Sequence, residues 1–402
     1  MKTGWRIKAI GELCVIKPPK SEARAALAPS DPVSFVPMED LPSASKFLSP
    51  SRERSLSEVI GGYTYFADGD VLLAKITPCF ENGKLGVAAN LTNGVGFGSS
   101  EYLVLRPDST LSSQWLYYYL SRKSFRVEGA SRMSGAVGHK RVPQEFLERY
   151  PIPVPPLTEQ ERIVAILDQA SEAIETAKEN AEKSELNAQE LFDSYLGGIF
   201  ATGGKGWVSG KLASFCREIT VGHVGSMAKR YVASGIPFLR SQNIRAFDVS
   251  LTNVVYIDEV FHAALSKSKL APNDVAIVRT GYPGTAAVIP ESLKRANCAD
   301  LVIVRPLPSL NPHFLAAFFN SSYGKSLVGG KLVGAAQKHF NVTAAKEATL
   351  HVPPLEQQNE IVEQIAVIRA EADRLAAIYH QKLVALDMLR ESTMSQAFNG
   401  NL

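Results

Sequence analysis

The chain consists of two copies of one sequence pattern. The matching pairs lie 202 positions apart near the start of each copy and 198 positions apart near its end. They are Gly4-Trp5 with Gly206-Trp207, Cys14 with Cys216, and Val154-Pro155-Pro156-Leu157 with Val352-Pro353-Pro354-Leu355. An internal repeat predicts two similar halves, related by a pseudo-two-fold axis. Such symmetry suits a target that is itself two-fold, and duplex DNA is the commonest target of that kind.

Charge is unevenly distributed along the 402 residues, although the net charge is only +3. The segments carry +4 (residues 1–157), −7 (158–200), +9 (201–355) and −3 (356–402). Basic bodies that alternate with acidic segments favour nucleic-acid binding more than the total charge suggests.

Each acidic segment has the pattern of one long helix. Residues 158–200 contain no proline, and their apolar or small residues recur at spacings of four and three, as in a heptad repeat. The predicted seam is Ile163, Leu167, Ala170, Ile174, Ala177, Ala181, Ala188, Leu191 and Tyr195, and in the second copy Ile361, Ile365, Ile368, Ala372, Leu375, Tyr379, Leu386 and Leu389. A helix of this length measures roughly 65 Å.

A narrow apolar seam on a solitary helix buries too little surface to be stable. We therefore expect the two helices to pack on each other as an antiparallel coiled coil that acts as a spacer of fixed length. Packing of the helices onto the basic bodies is an open alternative, and so is a tandem arrangement of the copies.

The basic bodies have the pattern of a mixed α/β (α+β) fold. Short aliphatic runs predict strands at Val71–Ile76, Tyr102–Arg106, Asp274–Arg279 and Leu301–Arg305, and helices are expected at Gln114–Arg122 and Pro312–Asn320. The strands match between the copies, whereas the loops differ, as two modules for different sequences would require. The predicted domains are a first body (residues 1–157), a long helix with a hinge (158–204), a second body (205–355) and a second long helix (356–402).

The cellular location is inferred from cysteines and hydropathy. Cys14, Cys79, Cys216 and Cys298 show no Cys-x-x-Cys spacing, which favours free thiols in a reducing compartment. No apolar run reaches the roughly 18 residues of a membrane helix, and the first 14 residues lack an apolar signal core. We expect a cytoplasmic protein that does not enter a membrane.

The whole chain resembles the specificity subunit of type I restriction-modification systems. The resemblance is carried by the starts of the helices and by two motifs in the bodies. These are Pro153–Leu157 with Glu159-Gln160 and Ile163-Val164, Pro353–Leu355 with Gln357-Gln358 and Ile361-Val362, Gly69–Leu72, and Ile236–Ile244.

The resemblance implies a non-catalytic subunit that recognises double-stranded DNA at two half-sites separated by a non-specific gap. It also implies two DNA methylation subunits and the restriction-translocase subunits as partners. S-adenosylmethionine, ATP and Mg are expected on those partners, and no cofactor is expected on this chain.

Candidate DNA-binding residues are polar and basic side chains in loops at strand ends. In the first body they are Lys75, Thr77, Asn82 and Lys84 after a strand, and His139, Lys140 and Arg141 before the long helix. In the second body they are Arg240, Ser241, Gln242 and Asn243, then Arg279, Thr280 and Tyr282, and finally Lys338 and His339. Residues 37–40 of the first body correspond to residues 240–243 of the second. Arg122, Lys123, Lys229 and Arg230 are expected to contact phosphates.

Two other classes of protein remain as alternatives. A stand-alone DNA-modifying enzyme would need a cofactor-binding unit, and Asn311-Pro312-His313-Phe314 only approaches the Asn-Pro-Pro-Tyr/Phe motif of amino-methyltransferases. Asn followed by Pro is more typical of a helix start. A coiled-coil scaffold would explain the helices, but it would not explain two basic bodies with a shared frame and different loops. The histidines and cysteines show no metal-ligand spacing.

Overall fold

The described structure forms two compact units. A computed structural model describes residues 4–136, 138–227, 230–330 and 340–402. Unit 1 comprises Met1–Asn180 and Lys382–Leu402, and unit 2 comprises Ala181–Gln381. Each unit therefore combines one body with a segment of both long helices. The division at residues 157, 204 and 355 treats bodies and helices separately and stays a prediction.

The first copy contains ten strands and seven helices within the described residues. The strands are β1 (Arg6–Ala9), β2 (Cys14–Ile16), β3 (Pro32–Val36), β4 (Arg52–Ser55), β5 (Thr64–Ala67), β6 (Val71–Ala74), β7 (Leu85–Val87), β8 (Val95–Gly98), β9 (Tyr102–Pro107) and β10 (Pro151–Val154). The helices are α1 (Ile10–Leu13), α2 (Ser21–Ala26), α3 (Leu56–Val59), α4 (Ser113–Ser121), α5 (Lys123–Arg132), α6 (Gln144–Glu148) and α7 (Leu157–Thr202).

The second copy contains twelve strands and five helices within the described residues. The strands are β11 (Val208–Lys211), β12 (Cys216–Val221), β13 (Ile236–Leu239), β14 (Ile244–Arg245), β15 (Asp248–Val249), β16 (Val255–Ile257), β17 (Lys269–Leu270), β18 (Val275–Val278), β19 (Ala286–Val288), β20 (Ala296–Cys298), β21 (Leu301–Pro306) and β22 (Thr349–Val352). The helices are α8 (Glu259–Ala264), α9 (Pro312–Asn320), α10 (Ser322–Gly330), α11 (Val342–Lys346) and α12 (Leu355–Asn399).

Both bodies have the same sheet topology. The first has a two-stranded sheet β1-β10, a sheet in the order β2-β9-β6-β7 and a sheet in the order β4-β3-β8-β5. The second repeats them as β11-β22, β12-β21-β18-β19 and β16-β13-β20-β17, and adds the hairpin β14-β15. The predicted mixed α/β fold and its internal repeat are confirmed.

Successive residues of one strand contribute to two separate cores, because side chains alternate across a sheet. Val71 and Leu73 pack with Trp115 and the other aromatic residues of α4. Leu72 and Ala74 of the same strand pack against the other sheet, in a cluster with Phe66. All four strand residues are buried. The apolar run that predicted this strand is therefore explained by burial on both faces.

A buried aspartate directly precedes the equivalent strand in both bodies, β6 in the first and β18 in the second. Asp70 precedes β6, is fully buried and accepts two hydrogen bonds from Arg106, of 2.7 and 2.8 Å. Burial raises the pKa of Asp70 above its ordinary value, although the Arg106 guanidinium acts in the opposite direction. In the second body Asp274 and Arg305 form the equivalent pair at 3.4 Å. The ion pair thus belongs to the shared frame.

A buried glutamine joins each long helix to its body. Gln160, in the first turn of α7, accepts a 2.8 Å hydrogen bond from the Ser112 amide and donates to the carbonyls of Thr110 and Pro155, both at 2.9 Å. Gln358 in α12 makes the same three bonds in unit 2, to the Asn311 amide (2.7 Å) and to the carbonyls of Ser309 and Pro353 (both 2.9 Å). Neither glutamine is exposed.

The helix segments of unit 1 run antiparallel. Lys178 of α7 contacts Asp387 of α12 at 2.6 Å, and Glu175 contacts Arg390 at 3.1 Å. A lower residue number in α7 therefore pairs with a higher residue number in α12, as in antiparallel helices. In unit 2, the Tyr195 hydroxyl donates to Gln364 at 3.3 Å. The predicted long helices and their antiparallel pairing are confirmed.

The predicted seam is wrong at one position of each helix. Leu191 and Leu389 are 67% and 52% exposed, whereas the neighbouring Phe192 is buried. Toward their C-terminal ends the helices turn aromatic residues into the bodies: Phe200 packs on Phe314, with ring centroids 5.2 Å apart. The helices thus pack both on each other and on the bodies, which shifts the apolar face away from a regular heptad.

We predict that Gln160→Ala destabilises the chain by about 2 kcal/mol, because it leaves a buried amide and two carbonyls without partners. Gln358→Ala should have an effect of similar size, measured as the free energy of unfolding in urea. Gln189→Ala, at an exposed position of α7, is the matched control and should change stability by less than about 0.5 kcal/mol. Equal stability of all three variants would contradict the structural role of these side chains.

Candidate nucleic-acid interface

Two of the predicted DNA-binding loops of the first body lie side by side. The loop of residues 75–84 connects β6 to β7, and the segment of residues 138–142 lies against it. The Thr77 amide donates to the Lys140 carbonyl at 3.0 Å, and the Val142 amide donates to the Lys75 carbonyl at 2.9 Å. The structure therefore joins these candidates into one surface.

Glu101 organises the cations of this surface. Arg141 donates to both carboxylate oxygens of Glu101, at 2.8 and 2.7 Å, and the Lys75 ammonium lies 3.9 Å away. The hydrogen bonds from Arg141 hold the pKa of Glu101 below its ordinary value. Burial lowers the pKa of Lys75. Glu101 was not among the sequence candidates, although its position directly before a matched strand was a usable signal.

The second body repeats this arrangement with different residues. Arg279 follows β18 as Lys75 follows β6, and Asp300 precedes β21 as Glu101 precedes β9. Arg279 contacts Asp300 at 2.8 Å, and the Thr280 hydroxyl donates to the same carboxylate at 2.9 Å. The Phe340 amide donates to the Arg279 carbonyl at 3.1 Å, as Val142 does to Lys75. Lys338 and His339 lie outside the described residues.

The third pair of candidate segments forms a short 3-10 turn in each body, at Met38–Asp40 and Ser241–Asn243. Asn243 is fully buried. Its side-chain oxygen accepts from the Arg240 amide at 3.0 Å, and its amide nitrogen donates to the Ser250 carbonyl at 2.9 Å. Ser241 is half-buried and Gln242 is exposed. Asn243 therefore holds the turn together, and Gln242 is the amide side chain that faces solvent.

Lys84 also stabilises a loop. Its ammonium donates to three backbone carbonyls, those of Met38 (2.6 Å), Glu39 (3.1 Å) and Leu41 (3.1 Å). The lysine thus links the loop after β6 to the 3-10 turn. Its charge is held by these carbonyls in the observed conformation.

The remaining candidates differ in whether their side chains form hydrogen bonds within the protein. Thr77 donates its hydroxyl to Glu81 at 2.9 Å. Asn82, His139, Lys140, Gln242 and Tyr282 are exposed and make no side-chain hydrogen bond with other described residues. These five are the side chains most available to a ligand.

The expected phosphate contacts have mixed surroundings. The Arg122 guanidinium lies 3.5 Å from the centroid of the Tyr119 ring and 5.3 Å from that of Phe398. The Arg230 guanidinium lies 4.9 Å from the Phe261 ring centroid. Lys123 is exposed, and Lys229 lies outside the described residues.

The motif that approached a methyltransferase signature is a helix cap. The Asn311 side chain accepts hydrogen bonds from the amides of His313 (2.8 Å) and Phe314 (3.3 Å), and Pro312 opens α9. These residues perform the capping role that their types favour. All four cysteines are free thiols. Among the described residues, none of the helices combines the length and apolarity needed to span a membrane.

The first half of the chain matches a known family. Residues 2–186 match the family model of the type I restriction modification DNA specificity domain. This part of the chain is similar to that domain. The resemblance noted in the sequence is thereby confirmed.

Related proteins carry the same designation. The EcoEI specificity subunit of Escherichia coli is 42% identical over 162 residues, which are 40% of this chain and 27% of that protein. The EcoAI specificity subunit of the same species is 39% identical over 169 residues, or 41% of this chain and 28% of that protein. The matches thus span little more than a quarter of these two relatives. The EcoKI subunit of strain K12 is 23% identical over 324 residues, covering 74% of this chain and 68% of that protein.

Solved structures of this class share the fold over the full chain. The HsdS subunit from Thermoanaerobacter tengcongensis superposes with a TM-score of 0.67 at 21% identity, covering 100% of this chain and 98% of that one. A chain from a study of complex assembly and conformational transition of the type I R-M system gives a TM-score of 0.82 at 20% identity, covering 100% and 99%. At these identities the likeness shows the fold.

The structure separates two kinds of lysine in the first body, and we predict different consequences for each. Lys140→Ala should weaken DNA binding and reduce the slope of log affinity against log salt by about 1, because one phosphate contact is lost. Lys84→Ala should instead lower the unfolding free energy by about 1–3 kcal/mol, because three carbonyls lose a charged donor.

The two variants are compared by binding titrations at several salt concentrations and by urea unfolding. A Lys140→Ala variant that binds duplex DNA like the unmodified chain at every salt concentration would contradict the placement of this lysine at the interface.

Proposed function

We propose that the chain is the non-catalytic DNA sequence-recognition subunit of a type I restriction-modification complex. Each body recognises one half of a bipartite target. The observation that carries this proposal is a shared frame with different loops: both bodies have the same strand order, yet Lys75 and Arg279 begin connections of different length and composition. Two half-sites of different sequence require that combination.

Charge and availability of side chains support the proposal. The bodies are basic, which favours phosphate contacts, and their loops present exposed polar side chains, which can recognise base edges. The specificity domain spans the first body, and the named relatives are specificity subunits. Repetition of the fold supports the same role for the second body.

Two DNA methylation subunits are proposed as partners, because the long helices expose apolar side chains at repeat-equivalent positions. Leu186 and Val384 are 58% and 49% exposed, and Leu191 and Leu389 are 67% and 52% exposed. Exposed apolar residues that recur in both copies suit two copies of one partner. Restriction-translocase subunits would join the same complex. S-adenosylmethionine, ATP and Mg would bind to these partners, in the cytoplasm.

Methylation mapping tests the proposed function directly. Genomic DNA is sequenced by a long-read method that detects methyladenine, in cells that contain or lack this chain together with its neighbouring methylation subunit. We expect methylation of a split, asymmetric motif that disappears when the chain is deleted. A motif that survives the deletion would contradict the proposal.

Substitution of the exposed leucines tests the docking surface. We expect Leu191→Glu to remove one methylation subunit, Leu389→Glu to remove the other, and the double variant to bind neither, because a charge in an apolar contact is strongly unfavourable. Native mass spectrometry of the co-expressed subunits gives the stoichiometry. Gln189→Ala on the same helix should leave both subunits bound, and full occupancy in the double variant would place the contact elsewhere.

A further inference from the structure

The hairpin between β18 and β19 ends in a solvent-exposed aromatic side chain. Tyr282 is 85% exposed. Gly281 and Gly284 flank the tip in left-handed backbone conformations, with φ of +86° and +93°, which glycine adopts without steric cost. The Gly284 amide donates to the Val278 carbonyl at 3.0 Å, and the Thr285 amide donates to that of Tyr282 at 3.3 Å. The tip is therefore a defined turn.

The base of this hairpin is held by side chains that were themselves candidates for DNA contact. Asp300 contacts both Arg279 (2.8 Å) and Thr280 (2.9 Å). The Arg279 Nε also donates to the Phe340 carbonyl at 3.3 Å. Arg279 and Thr280 therefore use their polar groups inside the body, and Tyr282 is the side chain of this hairpin that projects outward.

The equivalent connection of the first body also contains an aromatic residue, but there the side chain is buried. Phe80, in the loop between β6 and β7, is fully buried and packs on Phe125 with ring centroids 5.8 Å apart. The shared fold therefore does not require an aromatic residue in this connection to be exposed. Exposure of the Tyr282 ring leaves a large apolar surface in water, and the described residues of unit 2 offer no contact that offsets the cost.

We propose that Tyr282 is a specificity-determining residue of the second half-site, and that its ring packs against the bases rather than against phosphate. An aromatic ring on a preformed turn can contact a thymine methyl group in the major groove or lie against a partly unstacked base step. The ring carries no charge, so it adds sequence preference without counterion release. This inference rests on the proposed function.

The test uses the complete complex with its methylation subunits and two duplexes, one with the mapped motif and one with its second half-site scrambled. Tyr282→Ala should bind the mapped duplex about tenfold more weakly, with an unchanged salt slope and unchanged affinity for the scrambled duplex. Tyr282→Phe, which keeps the ring, should stay within about twofold of the unmodified complex. Affinities are measured by fluorescence anisotropy at several salt concentrations.

Val260→Ala is the matched control, because Val260 is an apolar residue of the same body that is 81% exposed, and it should change neither affinity. Thermal unfolding of the Tyr282 variants checks that the fold is intact. Unchanged affinity of Tyr282→Ala for the mapped duplex, or an equal loss on both duplexes, would overturn the inference while leaving the proposed function in place. If the unmodified complex does not discriminate between the duplexes, the proposed function fails and the role of Tyr282 fails with it.

Discussion

A buried amide at the start of each long helix is the constraint on which the arrangement of each unit depends. Gln160 and Gln358 each join three backbone groups that no other described side chain satisfies. Glutamine suits this position because one side chain supplies both an acceptor and donors. The amide thereby fixes where the helix leaves its body, and a small angular error there would be multiplied along about 65 Å of helix.

The two copies also differ in how a second segment contacts the long helices. This segment connects β3 to β4 in the first body and β13 to β16 in the second. In unit 1, Lys46 contacts Asp168 of α7 at 2.6 Å, an electrostatic link. In unit 2, Phe247 lies 4.8 Å from the Arg369 guanidinium and 5.9 Å from the Phe192 ring, measured to ring centroids. The frame was retained while the surfaces and supports around it diverged. Such independence allows the surface of one body to change without a change in the other.

Local patterns predicted the elements of regular structure better than the fate of individual side chains. Long helices and aliphatic strands follow from periodicity, so α7 and β6 were recognised closely. Periodicity does not identify the partner that a face meets, and for that reason Leu191 was placed in the seam and its neighbour Phe192 was missed. Equally, no local sequence pattern distinguishes Asn243, whose side chain bonds to the backbone of its own turn, from the exposed Gln242. Such roles depend on contacts between residues that are distant in sequence.

Unit 1 is built from two stretches of chain, and this has a consequence for synthesis. Trp115 packs against Phe398, with ring centroids 4.5 Å apart, so the core of the first body includes a residue made almost 300 positions later. While the ribosome translates the second body, the aromatic face around Trp115 in the first body remains without its contact to Phe398. The first body to be made is therefore the last to be completed, and chaperones have their longest opportunity to bind at that face.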